Sequence, residues 1–125
     1  MIVVKTKQSR KSIPLAPMSN PQVETVKQYI QLRSQGKDAV PQIMGLLTAQ
    51  PKITDAYGKD HVGSEAVRTY LTEPTPTQTP KGDPTILADG RILYEFTVQK
   101  FLLTWSMKAY FTMEGDRISY IKLEK

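Results

Sequence analysis

The sequence predicts an α+β domain in which three helices from the N-terminal half pack on a curved, mostly antiparallel sheet from the C-terminal half. Three observations carry this reading. Apolar residues recur at helical spacing behind cap signals in three stretches between residues 20 and 71. Apolar and polar residues alternate between residues 85 and 124. A proline-dense segment, EPTPTQTPKGDP (73–84), separates the two patterns and suits neither. A length of 125 residues allows one such domain, and a hydrophobic content of 39% supplies its core.

The elements follow in order. Residues 1–18 contain Pro14 and Pro17 and show no helical period, so they are expected to form a tail, with Met1–Lys5 as a short edge strand at most; the domain proper is expected to span 19–125. The first helix opens at Asn20, whose side chain suits the orphan N–H groups, with Pro21 at the position where a missing donor does no harm. Val23, Val26 and Ile30 form its stripe, Tyr29 flanks it, and Gly36 supplies the left-handed stop. A second helix is predicted from Asp38 as cap, with Val40, Ile43, Met44 and Leu47 at i, i+3, i+4, i+7 and Pro51 as its end. Lys52–Tyr57 reads as a short strand and Gly58–Gly63 as a loop. The third helix takes Ser64 as cap, Glu65 near its positive end, and Ala66, Val67, Tyr70 and Leu71 on one face.

Four prolines in residues 73–84 predict an unpaired crossing loop. Thr85–Ala88 and Arg91–Val98 then flank Asp89–Gly90, a type I′ hairpin signature. From Leu103 to Thr112 the residues alternate, with Leu103, Trp105, Met107, Ala109 and Phe111 on the apolar face. Glu114–Gly115–Asp116 turns the chain into a last strand, Arg117–Glu124. A turn is also required near Gln99–Lys100–Phe101, yet no Gly, Pro, Asn or Asp marks it.

Composition narrows the function classes. The absence of cysteine excludes disulfides, thiolate metal sites and cysteine nucleophiles, and is compatible with the reducing cytoplasm, the expected location. The start, MIVVKTKQSRKS, lacks the apolar core of a secretory signal, and no run approaches the roughly 20 apolar residues of a membrane span. No membrane partner is therefore expected. The net charge of +5 sits mainly in Lys5, Lys7, Arg10 and Lys11, since no acid precedes Glu24 and the remaining thirteen basic and twelve acidic residues nearly cancel. A nucleic-acid binder shows its basic face on the folded body, so none is expected as a partner. No phosphate loop, dinucleotide fingerprint, zinc spacing or serine elbow occurs, and no cofactor or metal is expected.

The order helix, helix, strand, helix, long loop, hairpins resembles the nuclear transport factor 2-like superfamily, which includes ketosteroid isomerases and polyketide cyclases of the SnoaL type. The resemblance spans roughly residues 20–124 and rests on YIQLRSQGKD (29–38), ITDAYGKDHVGSEAVRTYL (53–71) and AYFTMEGDRISYIKL (109–123) taken together. It implies a cone whose hollow takes a hydrophobic small molecule, and pairing of two copies through the sheet. Tyr29, Tyr57, Phe96, Trp105, Met107 and Phe111 are the expected lining, with Ala109 beside them. It further implies proton transfer next to a carbonyl (isomerase, cyclase or dehydratase type), with Asp55 as acid/base and Tyr29 as the hydrogen-bond donor. Ala109 stands where the isomerases place a third, donating residue, and an alanine donates nothing, which speaks against ketosteroid isomerisation itself. His61, the single histidine, is a further catalytic candidate because histidine is the side-chain type most easily tuned to neutral pH.

Each assignment has a plain alternative. Asp55 could be a strand-end carboxylate accepting N–H groups of the following loop, Tyr29 a core tyrosine, and His61 a solvent-facing loop residue. At the level of the whole protein the alternative is a non-catalytic carrier or interaction module with a plugged hollow. It would use Leu93, Thr97 and Tyr110 on the outer sheet face.

Overall fold

The computed structural model describes residues 20–74 and 76–125. The expected tail, 1–18, and its edge strand lie outside these residues. Helix α1 spans Pro21–Arg33, and Asn20 Oδ1 accepts the N–H groups of Gln22 and Val23 at 2.8 and 3.1 Å. Val26 and Tyr29 point into the core, at 0 and 8% exposure. The helix is tied to the far end of the chain through Thr25 Oγ1, which donates to the Asp116 carbonyl at 2.8 Å.

The second helix is shorter than its pattern. After a 3-10 turn, Lys37–Ala39, helix α2 covers only Val40–Met44, and Ala39 rather than Asp38 occupies its cap position. Leu47 is buried, but on strand β1, Leu47–Thr54. The i+7 match is thus a coincidence between a helical stripe and the first inward position of a strand. Pro51 does not end a segment; it is buried inside β1 at the irregularity between Leu47 and Lys52, where the ladder to the neighbouring strand is interrupted and no N–H is required. Its carbonyl accepts the Gly63 N–H at 2.8 Å.

The expected loop 58–63 contains strand β2, Asp60–Val62, which pairs back on β1. Helix α3, Ser64–Thr72, is capped by Gly63; Ser64 is its first residue and makes no side-chain cap. The proline-dense segment pairs too. Strand β3, Thr77–Pro80, lies antiparallel to β5, Ile92–Lys100, with the short strand β4, Thr85–Ile86, further along the same edge of β5. Among the described residues β3 is the outermost strand of the sheet path, where a proline's missing donor is tolerated. The β4–β5 turn is a three-residue loop rather than type I′. Gly90 N–H bonds the Leu87 carbonyl at 3.0 Å, and Gly90 has φ +91° while Asp89 is not left-handed.

With strands β6, Leu103–Glu114, and β7, Arg117–Glu124, the described residues form a seven-stranded sheet of order β2-β1-β7-β6-β5-β3, with β4 beside β5. Among the described residues, only the β1–β7 pairing is parallel. The curved, unclosed sheet carries the three helices on one face. Its inward residues, among them Ile53, Ile92, Phe111, Ile118 and Ile121, meet Val26, Ile43, Val67 and Leu71 of the helices in one core.

Candidate functional site

The core is not filled to its edge. Between helices and sheet lies a cavity of about 350 Å³, within the range of roughly 300–1,000 Å³ typical of small-molecule sites. Alternation along the strands makes most of its sheet wall apolar: Phe96 and Val98 of β5, Trp105, Met107, Ala109 and Phe111 of β6, and Ile121 and Leu123 of β7, with the phenol of Tyr94 on β5 and the amide of Gln78 on β3 as its polar members. The helix side is different in kind. Tyr29 and Arg33, one helical turn apart on α1, meet Tyr70 of α3, Glu73 just after it, and Asp55 from the β1–β2 turn. The hollow is unfilled, whereas the non-catalytic alternative expected a plugged one.

Tyr29 is fixed edge-on against Phe111, ring centroids 5.4 Å apart. Burial raises its phenol pKa; the charge of Arg33 and a hydrogen bond donated by that guanidinium offset part of the rise. Burial likewise pushes Tyr70 up to about 12, with the neighbouring Tyr29, Asp55 and Glu73 adding to the effect and Arg33 opposing it. Both phenols therefore keep their protons at neutral pH and present O–H donors. Arg33 is held by a bond from Nη1 to the Leu71 carbonyl at 3.1 Å and lies 6.0 Å from the Tyr70 ring centroid.

Asp55 is held from several directions. Oδ1 accepts the N–H groups of Tyr57 and Lys59 at 2.9 and 3.0 Å, and Oδ2 lies 3.0 Å from His61 Nε2. Burial works to raise its pKa. The hydrogen bonds from His61, Lys59 and Tyr57, and the charge His61 can carry, outweigh that and hold the carboxyl below its ordinary value. An ionised carboxylate only accepts, so Nε2 is the ring nitrogen that carries the proton. The backbone contacts are those of a strand-end carboxylate closing its own turn, yet the same side chain forms part of the cavity wall.

His61 lies on β2 opposite Ile53, inner-facing and 14% exposed, with its ring 4.5 Å from that of Tyr70. It does not face solvent as a loop residue would. It stands behind Asp55 rather than on the cavity wall, in contact with Asp55 and Tyr70, which do line the cavity. Tyr57 marks the mouth: its ring is 84% exposed, with Lys125 Nζ 4.7 Å from its centroid.

Sequence reasoning missed Arg33 and Glu73, and placed Tyr70 only on a packing face. One signal was available for Arg33: it follows Tyr29 by four residues and so shares its face of α1. Nothing local pointed to Tyr70 and Glu73, because the approach of α3 to α1 is tertiary.

No protein-family model matches this sequence, and no curated protein matches it. Solved structures do match. An uncharacterised cystatin-fold protein from Novosphingobium aromaticivorans aligns with a TM-score of 0.69 at 17% identity, covering 86% of this chain and 100% of that one. A candidate polyketide cyclase from Pseudomonas putida aligns at 0.67 and 17% identity, covering 86% and 92%. The Orange Carotenoid Protein of Anabaena (Nostoc) sp. PCC 7120, in a structure binding canthaxanthin, aligns at 0.62 and 17% identity over 80% of this chain and 34% of that one. At such identities the likeness speaks for architecture alone. By that measure the chain has the α+β fold of these proteins, three helices on a curved open sheet.

Proposed function

We propose that this protein is a small-molecule-binding domain of the nuclear transport factor 2-like type, taking a hydrophobic ligand with one polar, carbonyl-bearing end. The observation that carries this reading is the two-sided cavity, with a largely apolar sheet wall facing the phenols of Tyr29 and Tyr70 and the guanidinium of Arg33. The apolar body of a ligand is favoured by area removed from water, and its oxygen by donors that would otherwise lie unpaired in a dry site. Neighbours of this fold include a candidate polyketide cyclase and a carotenoid-binding structure, which agrees with a ligand of this kind. Pairing of two copies through the outer sheet face, where exposed Glu95 lies opposite Lys108 in register, belongs to the same reading.

The test is a thermal-shift and calorimetric screen with apolar carbonyl compounds, followed by Tyr29→Phe. Retained folding with roughly tenfold weaker binding supports the reading. Binding that is indifferent to Tyr29 and to the cavity wall overturns it.

Turnover is the second reading, favoured by the carboxylate of Asp55 on the same wall as Tyr29. Asp55 would take the proton from the carbon beside the carbonyl, and the enolate oxygen would accept the Tyr29 hydrogen bond. Return of the proton at another carbon completes an isomerisation. The depressed pKa of Asp55 makes it a reluctant base, which is why binding is put first. Asp55→Asn separates the two: it abolishes turnover and leaves ligand affinity within a few-fold.

A further inference from the structure

Against the expectation of no membrane partner, which rested on the lack of an apolar run long enough to span, we propose that the tip of the β5–β6 hairpin docks on the surface of a bilayer containing anionic lipid, and so holds the cavity mouth against it. The tip is Lys100–Phe101–Leu102–Leu103, and its three apolar residues are 86, 98 and 68% exposed. They are the most concentrated exposed apolar group among the described residues. Turn formation does not account for them. Lys100 pairs with Leu103, leaving a two-residue loop whose first member, Phe101, has φ +58°. Glycine is the residue favoured at such a position, and a bulky aromatic is strained there. A strained, fully exposed phenylalanine is better explained by what it touches than by the turn it makes.

Location is the second argument. Val98 and Trp105, paired across the hairpin, line the cavity, and the tip begins two residues beyond them. Pairing of β7 with β6 starts at Lys108, so Leu103–Met107 run past the end of β7. The hairpin therefore overhangs the mouth, whose rim also carries exposed Tyr57 and Lys125. A hydrophobic molecule leaving a lipid phase at this point meets the apolar sheet wall first.

Charge is the third. Lys100 Nζ lies 6.0 Å from the Phe101 ring and Lys125 Nζ 4.7 Å from the Tyr57 ring, so both exposed aromatic groups carry a lysine. Glu124, the acid next to Lys125, is engaged by Lys122 at 3.3 Å. Aromatic rings with adjacent lysines are the composition of groups that settle at the headgroup boundary of anionic membranes. A second copy of the chain fits less well. Three side chains on a convex tip expose on the order of 400 Å², half of the about 800 Å² per partner in a stable interface. A fluid surface needs no matching shape.

The experiment uses the full chain with vesicles of phosphatidylcholine alone and of phosphatidylcholine with a quarter phosphatidylglycerol, without any cavity ligand. Sedimentation gives the bound fraction. Brominated acyl chains read proximity through quenching of Trp105, the single tryptophan. The variant is Phe101→Gly/Leu102→Ser, which removes the apolar tip and relieves the positive φ, so its thermal midpoint should not fall. The expected result is tight binding to the anionic vesicles with quenching, weaker binding to phosphatidylcholine, and at least a tenfold loss in the variant. Absence of vesicle binding overturns the proposal, and so does equal binding by the variant, which would place the contact elsewhere. Wild-type self-association abolished by the variant without vesicle binding would assign the tip to a second copy instead. Because no ligand is present, failure here leaves the cavity reading standing, and failure of ligand binding leaves this result interpretable.

Discussion

Two ends of one hairpin handle the same kinds of side chain in opposite ways. At the foot of β5–β6, Phe96, Met107 and Phe111 are 4, 6 and 1% exposed, each seated against helices or cavity. At the tip, Phe101 and Leu102 are 86 and 98% exposed, on a turn that a phenylalanine does not ease. The foot follows from alternation and the hydrophobic effect alone, because an inward position over a helix layer must be apolar. The tip follows from neither. Apolarity supported by packing reports the fold, whereas apolarity that defies both packing and backbone preference reports a surface for something else.

Substitutions along the hairpin sharpen this contrast. Phe111→Ala, at the foot, should lose about 3–5 kcal/mol of stability in denaturant unfolding, since it opens a void and removes the edge partner of Tyr29. Asp55→Asn, across the cavity, should lose about 1–3 kcal/mol at neutral pH by weakening three hydrogen bonds to a charged acceptor. Its pH dependence has a definite sign. The folded-state pKa of Asp55 lies below the ordinary 3.8, so its stabilising contribution is complete above that value and is lost as pH falls through the lowered one. The asparagine variant should lack this part of the acid limb in a titration of unfolding midpoints. At the tip, Phe101→Gly should leave stability unchanged or raise it by up to about 1 kcal/mol, the relief of the left-handed backbone being partly offset by a freer unfolded chain. A large loss there would mean that the tip packs as the foot does and would erase the contrast.

The same distinction explains how much of the molecule was legible in its sequence. Asn20–Pro21, the alternation from Leu103 to Thr112 and the Gly115 turn are local signals with local causes, and they mark real elements. The second helix was overextended because Leu47 satisfies a helical spacing while serving a strand, and Pro51 looked like a terminator because the bulge that accommodates it exists only once β7 is alongside. Residues 73–84 looked unpairable because four prolines forbid a central strand, but an edge strand needs donors on one side only. Within the candidate site, Tyr29 and Asp55 were placed by resemblance, and both line the cavity. The inner face occupied by His61 depends on its pairing with Ile53, and the approach of Tyr70 to Arg33 depends on helix packing. Neither is written in any window of sequence. Phe101 was visible only as a turn lacking its usual residues.

The position of β7 has a consequence for assembly. It lies between β1 and β6, parallel to one and antiparallel to the other, and the Ile118 N–H bonds the Leu46 carbonyl at 2.9 Å. The β1–β2 and β5–β6 hairpins join neighbours in the chain and can form early, but the seam between them awaits a strand about seventy residues downstream of its partner. Until that strand inserts, two sheet edges stay open. Mutations that slow its insertion should be felt first as aggregation during synthesis, before any loss of equilibrium stability is measured.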